Sequence, residues 1–254
     1  EWRLKAGFGK LEGPFRPDTR QAPQEQVLQT DQIIDISAYM DEKGVLHWRA
    51  PEGRWKILRI GYQPTGRQNH PAAYGGAGLE IDKMSSEAVD FYWAHFLDSV
   101  VQLAGHRVGK SFRAIHIDSY EVGHQNWTHN FPSVFIDRRG YDFRRYLPVV
   151  TGRIIESTEF TERILYDFRQ VIGDLIADNY YGQMARRASQ SGIRFCNEPY
   201  GSYGNANDFQ VAGHADIPGC EWWAHDGNRQ RVGEARLAAS MAHVYGRKIV
   251  DAEA

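Results

Sequence analysis

Four apolar runs in this chain break off into polar residues at a glutamate: FRAIHIDSYE over 112–121, IRFCNEP over 193–199, ADIPGCE over 215–221 and KIVDAE over 248–253. The segments between them repeat apolar residues at helical spacing. MSSEAVDFYWAHFLDSVVQLAG carries Val89, Trp93, Phe96, Leu97 and Val100, starts after serines and stops at Gly105. A longer helix is predicted over 158–190, with Phe160, Ile164, Phe168, Ile172, Leu175 and Ile176 along one side and Gly192 beyond its end. RQRVGEARLAASMAHVYG supplies another helix. Strands alternating with helices imply right-handed crossovers and a parallel sheet. In such a sheet all strand ends of one sense lie at one edge, so the four glutamates are expected to converge there.

A parallel sheet of this kind either closes into a barrel or stays open and doubly wound. No GxGxxG or GxxxxGK[ST] follows any strand, which removes the nucleotide-binding versions of the open sheet. A barrel is therefore favoured, but an intact one needs eight strands and roughly 250 residues. From WKILRIGY onward the pattern supplies five. The expectation is an α/β chain, a partial (β/α)8 TIM-type barrel over residues 51–254, preceded over 1–50 by a leading loop and short β-structure at IIDIS and VLHW with turns at DEKG and PEG. The region between CNEP and ADIPGCEWW reads as an irregular Gly/Asn/Ser loop.

Thirty basic residues against 32 acidic ones, with no basic run, give no charge-based attraction to nucleic acid or to an anionic membrane. No stretch is apolar enough to span a bilayer. No signal peptide is visible, yet both ends look cut, so the compartment of the parent protein stays open. The two cysteines are too few for a disulfide framework; strand alternation puts Cys196 on the face of Glu198 and Cys220 on the face opposite Glu221, which argues for two buried thiols.

The residues around the glutamates suggest what the strand ends bind. Tyr120, Trp127, Tyr200, Tyr203, Trp222 and Trp223 offer flat apolar faces, and His124, Gln125, Asn126, Asn197, Asn205 and Asn207 offer hydrogen-bonding groups. Carbohydrate suits that mixture, since sugar rings stack on aromatics and their hydroxyls need acids and amides. Paired carboxylates beside a sugar point to glycoside hydrolysis, in which one acid protonates the leaving oxygen and the other activates water or attacks the anomeric carbon. Zinc on His116, Asp118, His124 and His129 matches no known ligand spacing and lacks thiolates. A hard cation among carboxylate and carbonyl oxygens fits the glutamates better.

Taken together, GLEIDKMSSEAVDFYW, IHIDSYEVGHQNW, RRGYDFRRYLPVVTGR, FCNEPYG, ADIPGCEWW and HVYGRKIVDAEA resemble the α-L-rhamnosidases of glycoside hydrolase family 106, from about Trp48 to the last residue. The resemblance implies a (β/α)-barrel catalytic domain within a larger, secreted or periplasmic protein, an inverting mechanism, a rhamnose-containing oligosaccharide or polysaccharide as substrate, and calcium beside the sugar. It implies Glu121 as general acid and Glu253 as general base. The residues at the strand ends make Asp118, Asn126, Trp127, Tyr200 and Trp222 substrate-binding candidates, and the resemblance adds Glu198 and Glu221 as further site acids for sugar hydroxyls, the attacking water or calcium, with these two the candidate calcium ligands. Desolvation beside Tyr120 and Val122, with repulsion from other acids, is expected to keep Glu121 in its acid form. Two alternatives stand beside this reading. NEP is similar to the acid/base motif of retaining glycosidases, with Glu198 then the acid/base and Glu253 the nucleophile. The chain can also be a carbohydrate-binding barrel without catalysis.

Overall fold

The structure, a computed structural model, describes residues 20–69, 72–199, 206–222 and 231–253. Tyr200, Tyr203, Asn205 and Trp223 lie outside those residues. In chain order the elements are β1 (Val27–Leu28), α1 (Ser86–Tyr92), a π-helical turn (Trp93–Leu97), α2 (Asp98–Ala104), β2 (Ala114–Ile117), α3 (Phe131–Arg139), a 3-10 stretch (Arg144–Thr151), β3 (Ile154–Ile155), α4 (Thr158–Leu175), a second π-helical stretch (Ile176–Gly182), α5 (Gln183–Gln190), β4 (Arg194–Asn197), α6 (Asp208–His214), β5 (Ile217–Pro218) and α7 (Arg231–Val244). Short 3-10 turns fill parts of the connections.

The chain divides into two compact units. The first takes the described residues up to Pro64 together with Asn130–Arg169. In it β1 and β3 pair in parallel, Val27 opposite Ile154 and Leu28 opposite Ile155. Val149, Ile154, Ile155, Ile164 and Leu165 form a buried cluster, flanked by Val27, Leu28 and Phe160. Four phenylalanines, Phe131, Phe135, Phe143 and Phe168, add an edge-and-tilt aromatic set with neighbouring centroids 4.6–6.2 Å apart, a geometry the ring quadrupoles favour. The hydroxyl of Ser157 accepts the Phe160 N–H at 3.0 Å, capping the start of α4.

The second unit takes the described residues of 65–129 and 170–254 and holds a three-stranded sheet. Its strand order is β2-β4-β5, all parallel, with Ala114–Ile117 in register with Arg194–Asn197 and Cys196–Asn197 with Ile217–Pro218. The chain end adds a further parallel partner. Asp251 donates its N–H to Pro218, Cys220 to Asp251 and Glu253 to Cys220, at 3.1, 3.2 and 2.9 Å, and Glu221 and Glu253 form a parallel bridge. The helix after the serines forms as read: the Ser85 hydroxyl caps it by accepting from Ala88 N–H, and Gly105 ends it with φ of 50°. Met84, Trp93, Tyr181 and Phe195 are among the fully or nearly fully buried side chains here. On the far face of the sheet, Cys220 packs with Ala212, Ala238 and Met241 of α6 and α7.

The mixed α/β architecture, the parallel pairing and the helices at 86–104, 158–190 and 231–244 agree with the sequence reading. Cys196 and Cys220 are both free and buried, and burial pushes the Cys196 thiol up to about 11. Two segments differ. WKILRIGY joins no ladder among the described residues; Ile57, Ile60 and Tyr62 stay exposed, so it lacks the burial that would hold a strand. IIDIS likewise ends in a 3-10 turn, Ser37–Tyr39, with only a Met40–Leu46 bridge nearby.

The supposed loop before ADIPGCEWW contains α6, whose seven residues are too few to show a hydrophobic period. Asn207 caps it, its Oδ1 accepting from Phe209 and Gln210 N–H at 2.9 and 3.3 Å. Asp208 follows in the first turn, where burial pushes its carboxyl up to about 6. The folded state therefore holds a proton that the unfolded chain has released, and stability falls as pH rises between the unfolded value of 3.8 and about 6. Asp208→Asn should be more stable than the parent at pH 7, on the order of 1 kcal/mol after discounting for partial exposure. Near pH 4 the difference should vanish. Urea titrations at the two pH values check this, and equal midpoints for variant and parent at pH 7 would refute it.

Candidate active site

Strand alternation and the parallel ladder together decide which side chains meet. His116 pairs with Cys196 across β2 and β4, so the next residues on that face are Asp118 and Glu198. Cys220 faces α6 and α7, so Glu221 turns the other way, and its bridge partner Glu253 follows it. Two groups result. His116, Asp118 and Glu198 bring one nitrogen or oxygen each within 4.8 Å of one another, and Glu198, Glu221 and Glu253 do the same with carboxylate oxygens. Glu198 belongs to both.

Burial separates these acids. Glu198 is 1% exposed and Glu221 8%, whereas Asp118 and Glu253 are exposed. Three carboxylates this close, two of them poorly solvated, repel one another, and a cation held between them would offset that repulsion. Their oxygens are the hard donors that calcium takes. His116 Nδ1 also lies 3.5 Å from Asp251 Oδ2, adding a second acid one layer below Glu253.

The crowding depends on Gly219. Pro218 has no N–H, so the carbonyl of Asn197 takes the N–H of Gly219 instead, at 2.7 Å. A Cβ at position 219 would sit 2.9 Å from that carbonyl oxygen and 3.4 Å from Cγ of Glu198. Only glycine lets the backbone after β5 approach β4 this closely and leaves the space into which the glutamates reach.

The loop after β2 carries the remaining candidates. Asp118 accepts the Ser119 N–H at 2.7 Å, and the Ser119 hydroxyl donates to Glu121 Oε1 at 2.7 Å. Glu121 is exposed and belongs to neither carboxylate group. The desolvation expected around it is therefore not provided: Tyr120 turns into the core, 4% exposed, and leaves its neighbour in solvent. Asn126 is exposed and Trp127 half-buried on the same loop, and Trp222, 38% exposed, directly follows Glu221. Tyr200 lies outside the described residues. His124 and His129 do not join His116 and Asp118, so no histidine-rich metal set forms among the described residues. The sequence reading passed over Gly219 and Asp251; the signals available for them were a glycine beside a proline at a strand end and the period-2 spacing from Asp251 to Glu253.

The family described as alpha-L-rhamnosidase, glycoside hydrolase family 106, matches the chain over residues 1–254. A protein of Formosa agariphila named "Putative beta-glucuronidase" is 42% identical over 250 residues, covering 98% of this chain and 21% of that protein. The solved structure of a rhamnosidase from Novosphingobium sp. PP1Y superposes with a TM-score of 0.74 at 32% identity, covering 91% of this chain and 23% of that one. The chain thus spans about a fifth of the length of these relatives. No helix among the described residues is long and apolar enough to cross a membrane.

Gly219→Ala should force the backbone after β5 away from β4 and spread the carboxylates. The expected cost is ~1–3 kcal/mol, the range for forcing extra volume into a packed site. Denaturant titration measures it, and a variant as stable as the parent would show that the ladder accommodates the methyl group.

Proposed function

The chain belongs to the α-L-rhamnosidase family, glycoside hydrolase family 106, and from that premise we propose that the protein containing it hydrolyses terminal α-L-rhamnosides by inversion, with Glu121 as general acid and Glu253 as general base. The observation that carries this reading is the division among the acids: two buried glutamates, Glu198 and Glu221, lie against an exposed Glu253 at the end of parallel strands, and an exposed Glu121 stands on the next loop. Groups that move protons to and from substrate must be reachable, and these two are. We read the parallel sheet as an arc of a (β/α) barrel whose other strands, like further domains, belong to the rest of an exported protein.

In the proposed step the Glu121 carboxyl gives its proton to the glycosidic oxygen as the bond to the anomeric carbon breaks. The Glu253 carboxylate takes a proton from water, whose oxygen bonds to that carbon from the opposite face. A glycan covering the loop would displace the solvent now around Glu121. Trp127 and Trp222 offer stacking faces, with Tyr200 a further candidate, while Asp118 and Asn126 offer hydroxyl partners. Glu198 and Glu221 would hold calcium, which when bound would offset their charge and fix sugar hydroxyls.

One observation favours a second reading. The Glu198 and Glu253 oxygens lie within 4.8 Å, close to the ~5 Å of a retaining pair rather than the ~6.5–9.5 Å of an inverting one. Against it, Glu198 is nearly inaccessible. The Formosa relative's name also raises glucuronides as the competing substrate.

The full-length protein should therefore be assayed on aryl and alkyl rhamnosides and on the matching glucuronides, with NMR following the anomer first released. Initial β-rhamnose is expected; initial α-rhamnose would transfer the roles to Glu198 and Glu253, and turnover of glucuronides alone would reject the sugar. Glu121→Gln should slow a poor leaving group by ~10²–10⁴-fold and an activated aryl rhamnoside far less. Glu253→Gln should slow both alike, because water activation is needed whatever leaves. Exhaustive chelation should reduce activity and calcium restore it; full activity in metal-free protein would remove calcium from the proposal.

A further inference from the structure

Glu121 itself has little to hold it: one hydrogen bond from Ser119, an exposed side chain, and a glycine two residues on, Gly123, at φ 80°. The residues flanking it are tied down instead. Behind it, the Tyr120 ring lies 5.3 Å from Nζ of Lys83, which stands equally far from the Tyr180 ring and pairs with Glu80. Lys83 is 5% exposed, and burial holds its ammonium below the usual lysine range against the opposing pull of Glu80. Ahead of Glu121, Asp82 reaches the loop at two points. Its Oδ2 accepts from the Thr128 hydroxyl at 2.6 Å, and its Oδ1 accepts from the Gln125 amide and from Met84 N–H. The Gln125 Oε1 in turn accepts the Lys83 N–H at 3.0 Å. Thr128 is 3% exposed. Met84, at the next position, is fully buried, and its carbonyl accepts from Asn179 Nδ2 at 2.7 Å.

We propose that Asp82 is a positioning residue for the acid step: its carboxylate, fixed to a buried segment, clamps Gln125 and Thr128 and so sets where the loop presents Glu121. This rests on the reading of Glu121 as general acid. A carboxyl group that accepts three donors is a directional tie. An acid displaced by about 1 Å loses roughly 10²-fold in rate, so the clamp matters to proton donation far more than to water activation at Glu253, which hangs on a different ladder.

The test compares Asp82→Ala with Glu121→Gln in the full-length protein, on a poor alkyl leaving group and an activated aryl one. Asp82→Ala should lower kcat by ~10–100-fold on the poor leaving group and by less than ~3-fold on the activated one, with KM nearly unchanged. Thr128→Val, which keeps the shape and removes one clamp bond, should show the same selectivity at ~3–10-fold. It decides the matter if Asp82→Ala fails to melt cooperatively. Asp82→Asn, retaining one acceptor oxygen, should recover part of the loss. Equal losses on both substrates in the clamp variants, while Glu121→Gln remains selective, would overturn the positioning role and leave the acid assignment standing. A Glu121→Gln variant without selectivity would overturn both.

Discussion

The candidate site rests on the hydrogen-bonded register of four parallel backbone segments. Each ladder step fixes one glutamate against the next: Glu198 takes its place from its N–H bond to Ile117, Gly219 from Asn197, and Glu253 from Cys220. Backbone pairing of this kind tolerates charge crowding because many bonds oppose a single repulsion. A net bond contributes ~0.5–1.5 kcal/mol, and several share the load. Gly219 is where this register meets steric limits, since any side chain would meet the Asn197 carbonyl before it met a carboxylate.

The loop after β2 is held by different physics. It has no ladder beyond Ile117, so its position comes from side chains, with Asp82 and Lys83 reaching it from the segment before α1. Strand-held carboxylates are stiff, and a loop-held one is adjustable. A reaction that needs a fixed nucleophile-activating group and an acid able to follow a departing oxygen would use the two in that order.

Much of this was legible in the sequence because period-2 and period-3.6 patterns survive in the parallel unit. FRAIHID and IRFCNEP became β2 and β4, and the stretch 158–190 became continuous helix, because their apolar residues are buried where the pattern put them. The convergence of Glu198, Glu221 and Glu253 followed from parallel pairing alone. WKILRIGY failed because the same apolar content, with Ile57 and Tyr62 exposed, had no described surface to bury against. The solvent exposure of Glu121 is not legible from its place beside Tyr120, because adjacency in sequence is not adjacency in space. On an extended stretch the two side chains point opposite ways. The Asp82 clamp was invisible, as it joins segments far apart in the chain through side chains that carry no periodic signal.

The separation of buried from exposed acids bears on which carboxylates can do chemistry. A carboxylate at 1% exposure, such as Glu198, has given up its hydration and is useful only where its neighbours replace that solvation. It can bind a cation or a hydroxyl placed against it, but it cannot follow a leaving group into solvent. Glu253 shares its oxygens' neighbourhood with Glu198 and Glu221 while its own side chain reaches water. It therefore lies against the buried pair and is still open enough to meet the water it would activate in the proposed step. That combination suits Glu253, at the rim of the carboxylate cluster, to the proposed role of base, and the buried pair to the proposed role in recognition.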